Sequence, residues 1–212
     1  MRDHILKSRP TKYRYTTTLR WVATFAAILF STPAFAHTIP GQAKGFFTGF
    51  LHPLLGLDHV LAMVAVGIWG AQLKRPAIWI LPVAFPLVMS FGGLLGIRGV
   101  PLPGVEIGVA ASAVVLGSVI ALELRPPLWV AVLIVSAFAI FHGHAHGTEI
   151  PKAASPLTYA LGFVLATGLL HVSGILIGLV DLLPAGSKLL RTAGGLIATT
   201  GFVLLAALVN HT

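Results

Sequence analysis

The chain has 212 residues, 56% of them apolar and 9% charged, with a mean hydropathy of +0.91. Apolar runs of 18 or more residues recur along it, which excludes an ordinary soluble domain and predicts an integral membrane protein in a lipid bilayer. The net charge of +8 does not describe a nucleic-acid-binding face. Six of the 14 basic residues (Arg2, Lys7, Arg9, Lys12, Arg14, Arg20) precede the first apolar run, and the others are scattered at loops. Cysteine is absent, which rules out disulfides, thiolate ligands and thiol redox chemistry. With methionine limited to Met1, Met63 and Met89, a thioether pathway for Cu(I) is not expected either.

Residues 1–20 are basic and polar, residues 21–30 are apolar, and Ala34-Phe35-Ala36 follows. A charged start, a short apolar core and an A-x-A ending predict a secretory signal peptide over residues 1–36, cleaved after Ala36. The mature chain then begins at His37, outside the cytoplasmic membrane, where its amine and imidazole could chelate together. Six spans are expected, at about residues 46–73, 77–97, 105–124, 128–147, 156–182 and 188–209. An outside start places Lys74, Arg75, Arg125, Lys188 and Arg191 inside and Lys44, Arg98 and Lys152 outside, in agreement with the positive-inside bias. The expected fold is therefore all-α: a polytopic bundle of six transmembrane helices in the bacterial inner membrane, with both mature termini periplasmic. Glycines recur inside the spans, as close helix packing requires. A histidine motif opening each half suggests an inverted three-plus-three repeat. Phe85-Pro86 is expected to break the second span near its middle, which is more often a packing kink than a gate.

The chemistry concentrates in two stretches. FHGHAHGTE, residues 141–149, ends the fourth span. There His142 and His146 are four residues apart and Glu149 is three further on, so a helix projects all three from one face. HPLLGLDH, residues 52–59, lies near the start of the first span. His52 and His59 are seven apart, about 10.5 Å of helical rise, too far for one ion on a straight helix. Pro53 and Gly56 lie between them, and a bend there would let His52, Asp58 and His59 converge. A carboxylate at bilayer depth costs about 2.5–3.5 kcal/mol on insertion scales, so Asp58 reads as functional. Imidazole beside carboxylate is a ligand set for a borderline divalent cation, or for protons.

The two spans run in opposite directions, so both motifs fall in the outer half of the membrane and can face each other. Glu106 opens the third span at a similar height. His144 points away from the His142/His146 face and is expected beside the site. His171, deeper in the fifth span, reads as a hydrogen-bonding residue between helices, or as a relay inwards.

HPLLGLDH and FHGHAHGTE closely resemble the two signature motifs of the HupE/UreJ family, and the similarity extends over the whole chain, including the histidine of LLHVSG in the fifth span. The resemblance implies a secondary permease for nickel, in some cases cobalt, associated with hydrogenase, urease or cobalamin functions. It implies a metal site of His52, Asp58, His59, His142, His146 and Glu149. Phe85 and Glu106 match a further aromatic and a further acid. The transported Ni(2+) or Co(2+) is cargo, with no permanent cofactor and no enzymatic activity expected, and the chain is compatible with a homo-oligomer. No G-x-x-x-x-G-K-[ST] occurs. The rival from another class is an intramembrane zinc-dependent hydrolase, but no H-E-x-x-H occurs. A haem-binding anchor would need histidines facing one another across helices, and the neighbouring carboxylates argue against it.

Overall fold

The computed structural model describes residues 41–149 and 155–210. The expected signal peptide, its cleavage after Ala36, and His37 lie outside the described residues. Those described form seven α-helices: α1 Gly41–Leu55, α2 Leu57–Leu73, α3 Ala77–Ile97, α4 Val105–Ala121, α5 Leu128–Thr148, α6 Pro156–Gly178 and α7 Gly186–Asn210, with a 3₁₀ turn Leu179–Leu182 after α6. No strand occurs among them. Helices α3, α5, α6 with its 3₁₀ turn, and α7 are each long and apolar enough to cross a membrane; α1 and α2, taken as one broken element, make a fifth. At 17 residues, α4 is apolar but shorter than the roughly 20 residues of a full crossing.

The outer surface agrees with lipid as solvent. Leu87, Trp129, Leu133, Leu157, Leu196 and Phe202 point outwards at 60–70% exposure, a surface that water would not tolerate. This is a multi-pass membrane protein.

The centre of the bundle is α2. It packs against α3, α4, α6 and α7, and its residues from Ala62 to Gly70 are buried apart from Val64. Two glycine contacts bring α6 against it. A Cβ on Gly67 would lie 2.3 Å from the His171 carbonyl oxygen, and one on Gly174 would lie 2.2 Å from that of Val64. A still closer contact joins α5 to α3. A Cβ on Gly143 would stand 1.9 Å from the Met89 carbonyl oxygen, and one on Gly147 2.2 Å from that of Gly93. These two glycines alternate with the histidines of α5. With one face of the helix pressed on α3, His142 and His146 are left directed at α2.

One local feature differs from the sequence reading. Helix α3 runs unbroken from Ala77 to Ile97 through Pro82 and Pro86, so Phe85-Pro86 does not interrupt it. Each proline removes only one N–H donor, a loss that a membrane helix tolerates. The bend considered between His52 and His59 is present, the expected first span being two helices meeting at 80°. Gly56 between them is extended, at φ −87° and ψ 112°.

The α3–α5 contact generates a prediction. Gly143→Ala should destabilise the bundle by about 1–3 kcal/mol, since the added methyl meets backbone that cannot swing aside. Gly168→Ala, where a Cβ would meet nothing within 4 Å, is the control. Melting in detergent, followed by size-exclusion chromatography of heated samples, should show a lowered Tm for the first only. Equal midpoints would refute the close-approach argument.

Candidate metal centre

The break at Gly56 shapes one wall. Asp58 and His59 occupy the first turn of α2, where helix N–H groups lack intrahelical partners and favour negative charge. One Asp58 oxygen, Oδ1, accepts both from the His59 backbone N–H at 2.9 Å and from His59 Nδ1–H at 2.7 Å. A Cβ at position 56 would lie 2.7 Å from His59 Nδ1, so glycine is what leaves room for this pair. With its Nδ1 proton held by the carboxylate, His59 turns the lone pair of Nε2 inwards, where it is buried and has no hydrogen-bond partner.

The opposite wall is the end of α5. His142 is fully buried. Its Nε2 lies 2.9 Å from Ser112 Oγ on α4, and that hydroxyl lies 2.6 Å from the Val109 carbonyl oxygen. A carbonyl only accepts, so the serine proton is committed to Val109 and Nε2–H must donate to Oγ. The lone pair of His142 is thereby placed on Nδ1, which is buried and without a partner. His146 has no hydrogen bond at either nitrogen. It packs between the rings of His52, His59 and Phe163, at centroid distances of 4.8, 4.3 and 4.2 Å.

Two groups of side chains can each close on one cation. His59, His142 and His146 bring ligand atoms within 4.8 Å of one another, as do His52, His146 and Glu149. His146 belongs to both. The first motif therefore does not converge on one point, as the sequence reading had it. The 80° bend sets His52 on one side of His146 and His59 on the other. Burial grades inwards, from Glu149 (53% exposed at its side chain) and His52 (31%) to His142 (0%). At the mouth, His52 Nε2–H donates to Glu149 Oε2 at 3.0 Å, and His146 Nδ1 is 3.8 Å from the same oxygen.

Asp58 belongs to neither group of ligand atoms, and its place is behind His59. With Glu106, His59 and Glu149 it lines a cavity of about 430 Å³ beside the two groups. His144 is directed elsewhere, and its Nε2–H donates to the Val100 carbonyl oxygen at 2.7 Å. Phe85 closes the inner side, with its ring 5.6 Å from that of His142 and 5.3 Å from that of His171.

Ser112 and Phe163 escaped the sequence reading. Ser112 is one of two serines in α4, and nothing in the sequence separates it from Ser118, which only back-bonds to Val114. Partners behind metal-binding histidines are commonly worth 10–100-fold in affinity. Ser112→Ala should therefore weaken cobalt(II) binding by about tenfold in a titration of purified protein followed by visible absorption. Ser118→Ala should leave it unchanged. Equal affinities in the two variants would reject Ser112 as the group that sets the His142 tautomer.

The family model described as HupE / UreJ protein matches residues 25–204. Protein HupE of Rhizobium leguminosarum bv. viciae is 44% identical over 183 residues, which cover 86% of this chain and 95% of that protein. No solved structure matches the chain. A family match over most of the sequence, together with 44% identity to a relative covered almost whole, makes the chain a member of the HupE/UreJ family.

Proposed function

We propose that this protein is a permease that imports nickel, and in the same way cobalt, across the bacterial cytoplasmic membrane. The observation that carries the reading is a bundle with an apolar outer surface whose interior holds the partnerless imidazole nitrogens of His59, His142 and His146 next to a mouth of His52 and Glu149. In soluble or membrane interiors alike, a buried acceptor without a donor is costly, and a cation relieves it. His52, Asp58, His59, His142, His146 and Glu149 form the working set, with Asp58 acting through His59. If α1 with α2 is one crossing and α4 another, the described helices make six, and a start outside after cleavage at Ala36 leaves both termini periplasmic.

The hydrated cation enters the cavity beside Asp58, Glu106 and Glu149, whose carboxylates concentrate positive charge. It exchanges water first for Glu149, His52 and His146, then for His146, His59 and His142. Because His146 belongs to both groups, the ion passes between them without leaving all its ligands at once. Protonation of these ligands weakens binding and aids release, since they hold metal only when deprotonated. The inside-negative potential favours a divalent cation by about 4.6 kcal/mol per 100 mV.

Uptake of radioactive nickel at nanomolar concentration by cells expressing the protein tests the reading, with cobalt and zinc as competitors. His146→Ala should abolish uptake at matched expression, because both groups lose a ligand. Glu106→Gln should act differently. It lowers uptake at nanomolar nickel and approaches the parent rate when nickel is raised, since its charge gathers ions without belonging to either ligand group. Failure of the unaltered protein to raise uptake of any of the three metals above that of empty cells would overturn the permease and return the histidines to the zinc-hydrolase alternative.

A further inference from the structure

Beyond the outer groups, α6 carries Tyr159, Phe163, Thr167 and His171 at four-residue intervals, a spacing that keeps them on adjoining parts of one face. All four are buried. Phe163 packs on His146, and Tyr159 lies 5.9 Å from the His52 ring, so this row starts at the outer groups. His171 lies eight residues past Phe163, about 12 Å further along the helix.

The surroundings of His171 are specific. Its Nδ1 is 2.8 Å from the Met63 carbonyl oxygen. That oxygen can only accept, so Nδ1 carries the proton and Nε2 the lone pair. Nε2 is buried with no hydrogen-bond partner, in a residue 1% exposed. The Thr167 hydroxyl, one turn away and fully buried, also lacks a partner. Met63 itself is one turn beyond His59 on α2, about 6 Å deeper. The tautomer of His171 is thus fixed by a carbonyl, as that of His59 is fixed by a carboxylate and that of His142 by a hydroxyl. In each case the free nitrogen is the one a metal would take.

Packing between helices accounts for the Nδ1 bond and leaves Nε2 unexplained. A histidine serving only to tie α6 to α2 would bury an acceptor at a net loss. One aromatic ring, that of Phe85, is in edge-on contact with both His142 and His171.

We propose that His171 Nε2, one turn along α6 from the Thr167 hydroxyl, is an inner station that receives the divalent cation after it has left His142 and passed Phe85. This rests on the permease reading above. One imidazole and one hydroxyl hold a borderline cation weakly. Weak holding suits a station that must release inwards, where a third or fourth strong ligand would trap the ion.

The test is His171→Asn in the full chain. Asparagine keeps an N–H donor at the position of Nδ1 for the Met63 carbonyl and removes the nitrogen at Nε2, separating the structural bond from the ligand. Two readouts are taken: equilibrium nickel binding by purified protein, which reports the outer groups, and radioactive nickel uptake by cells at matched expression. The expected result is binding within about twofold of the parent and uptake lowered about tenfold or more. Thr167→Val should lower uptake in the same direction, again with binding retained. Uptake by His171→Asn at the parent rate would overturn the inner station while leaving the permease intact. Loss of binding along with uptake would make His171 a prop of the outer groups, and would overturn it too. A parent protein that takes up no nickel would overturn the permease and the station together.

Discussion

The close approach of α5 to α3 is the constraint on which the rest of the structure depends. Carbonyl oxygens of Met89 and Gly93 lie where side chains at 143 and 147 would begin. In lipid no hydrophobic effect drives helices together, so small residues at the contact supply the association through close packing. Rotation of α5 about its own axis is thereby removed. With it goes any freedom of His142 and His146, which stand on the helix face turned to α2. The motif FHGHAHG is one device with two sides, glycine for the neighbour and histidine for the site.

A second constraint follows from burying imidazoles. Each ring has two nitrogens, and in a dry interior both need an account. For His59, His142 and His171 one nitrogen is tied to a group that can only accept its proton, and the other is left bare. A bare buried nitrogen costs free energy, and His144 carries one too at Nδ1, outside both ligand groups. The same arrangement appears on three different helices, with carboxylate, hydroxyl and carbonyl as the anchoring groups. The chemistry of the free nitrogen is common to them, and the anchors are not.

The bend at Gly56 shows how a membrane helix can be broken and remain satisfied. The extended backbone at Gly56 leaves N–H groups at the start of α2 without intrahelical partners, and Asp58 accepts one of them with the same oxygen that holds His59. The carboxylate is thus both part of the helix start and the anchor of a ring. The bend also distributes the first motif, with His52 towards the mouth and His59 towards the interior, on either side of His146. A straight span would have placed one of them out of reach.

Membrane insertion, the helical class and the two polar motifs were legible from the chain alone. Hydropathy and local spacing are properties of consecutive residues, and in lipid the backbone has few alternatives to a helix. The i, i+4 pairing of His142 and His146 is equally local. Tertiary structure alone decided that Ser112 sets a tautomer while Ser118 does not, that His146 is shared between two groups, and that Phe85 is in edge-on contact with both His142 and His171. It also showed α3 continuous where Pro86 suggested a break, because a proline's loss of one donor does not outweigh the packing of a whole helix. Those outcomes depend on which helix faces which, at what depth and in what rotation. Glycine contacts far apart in sequence determine that, and no window of neighbouring residues contains it.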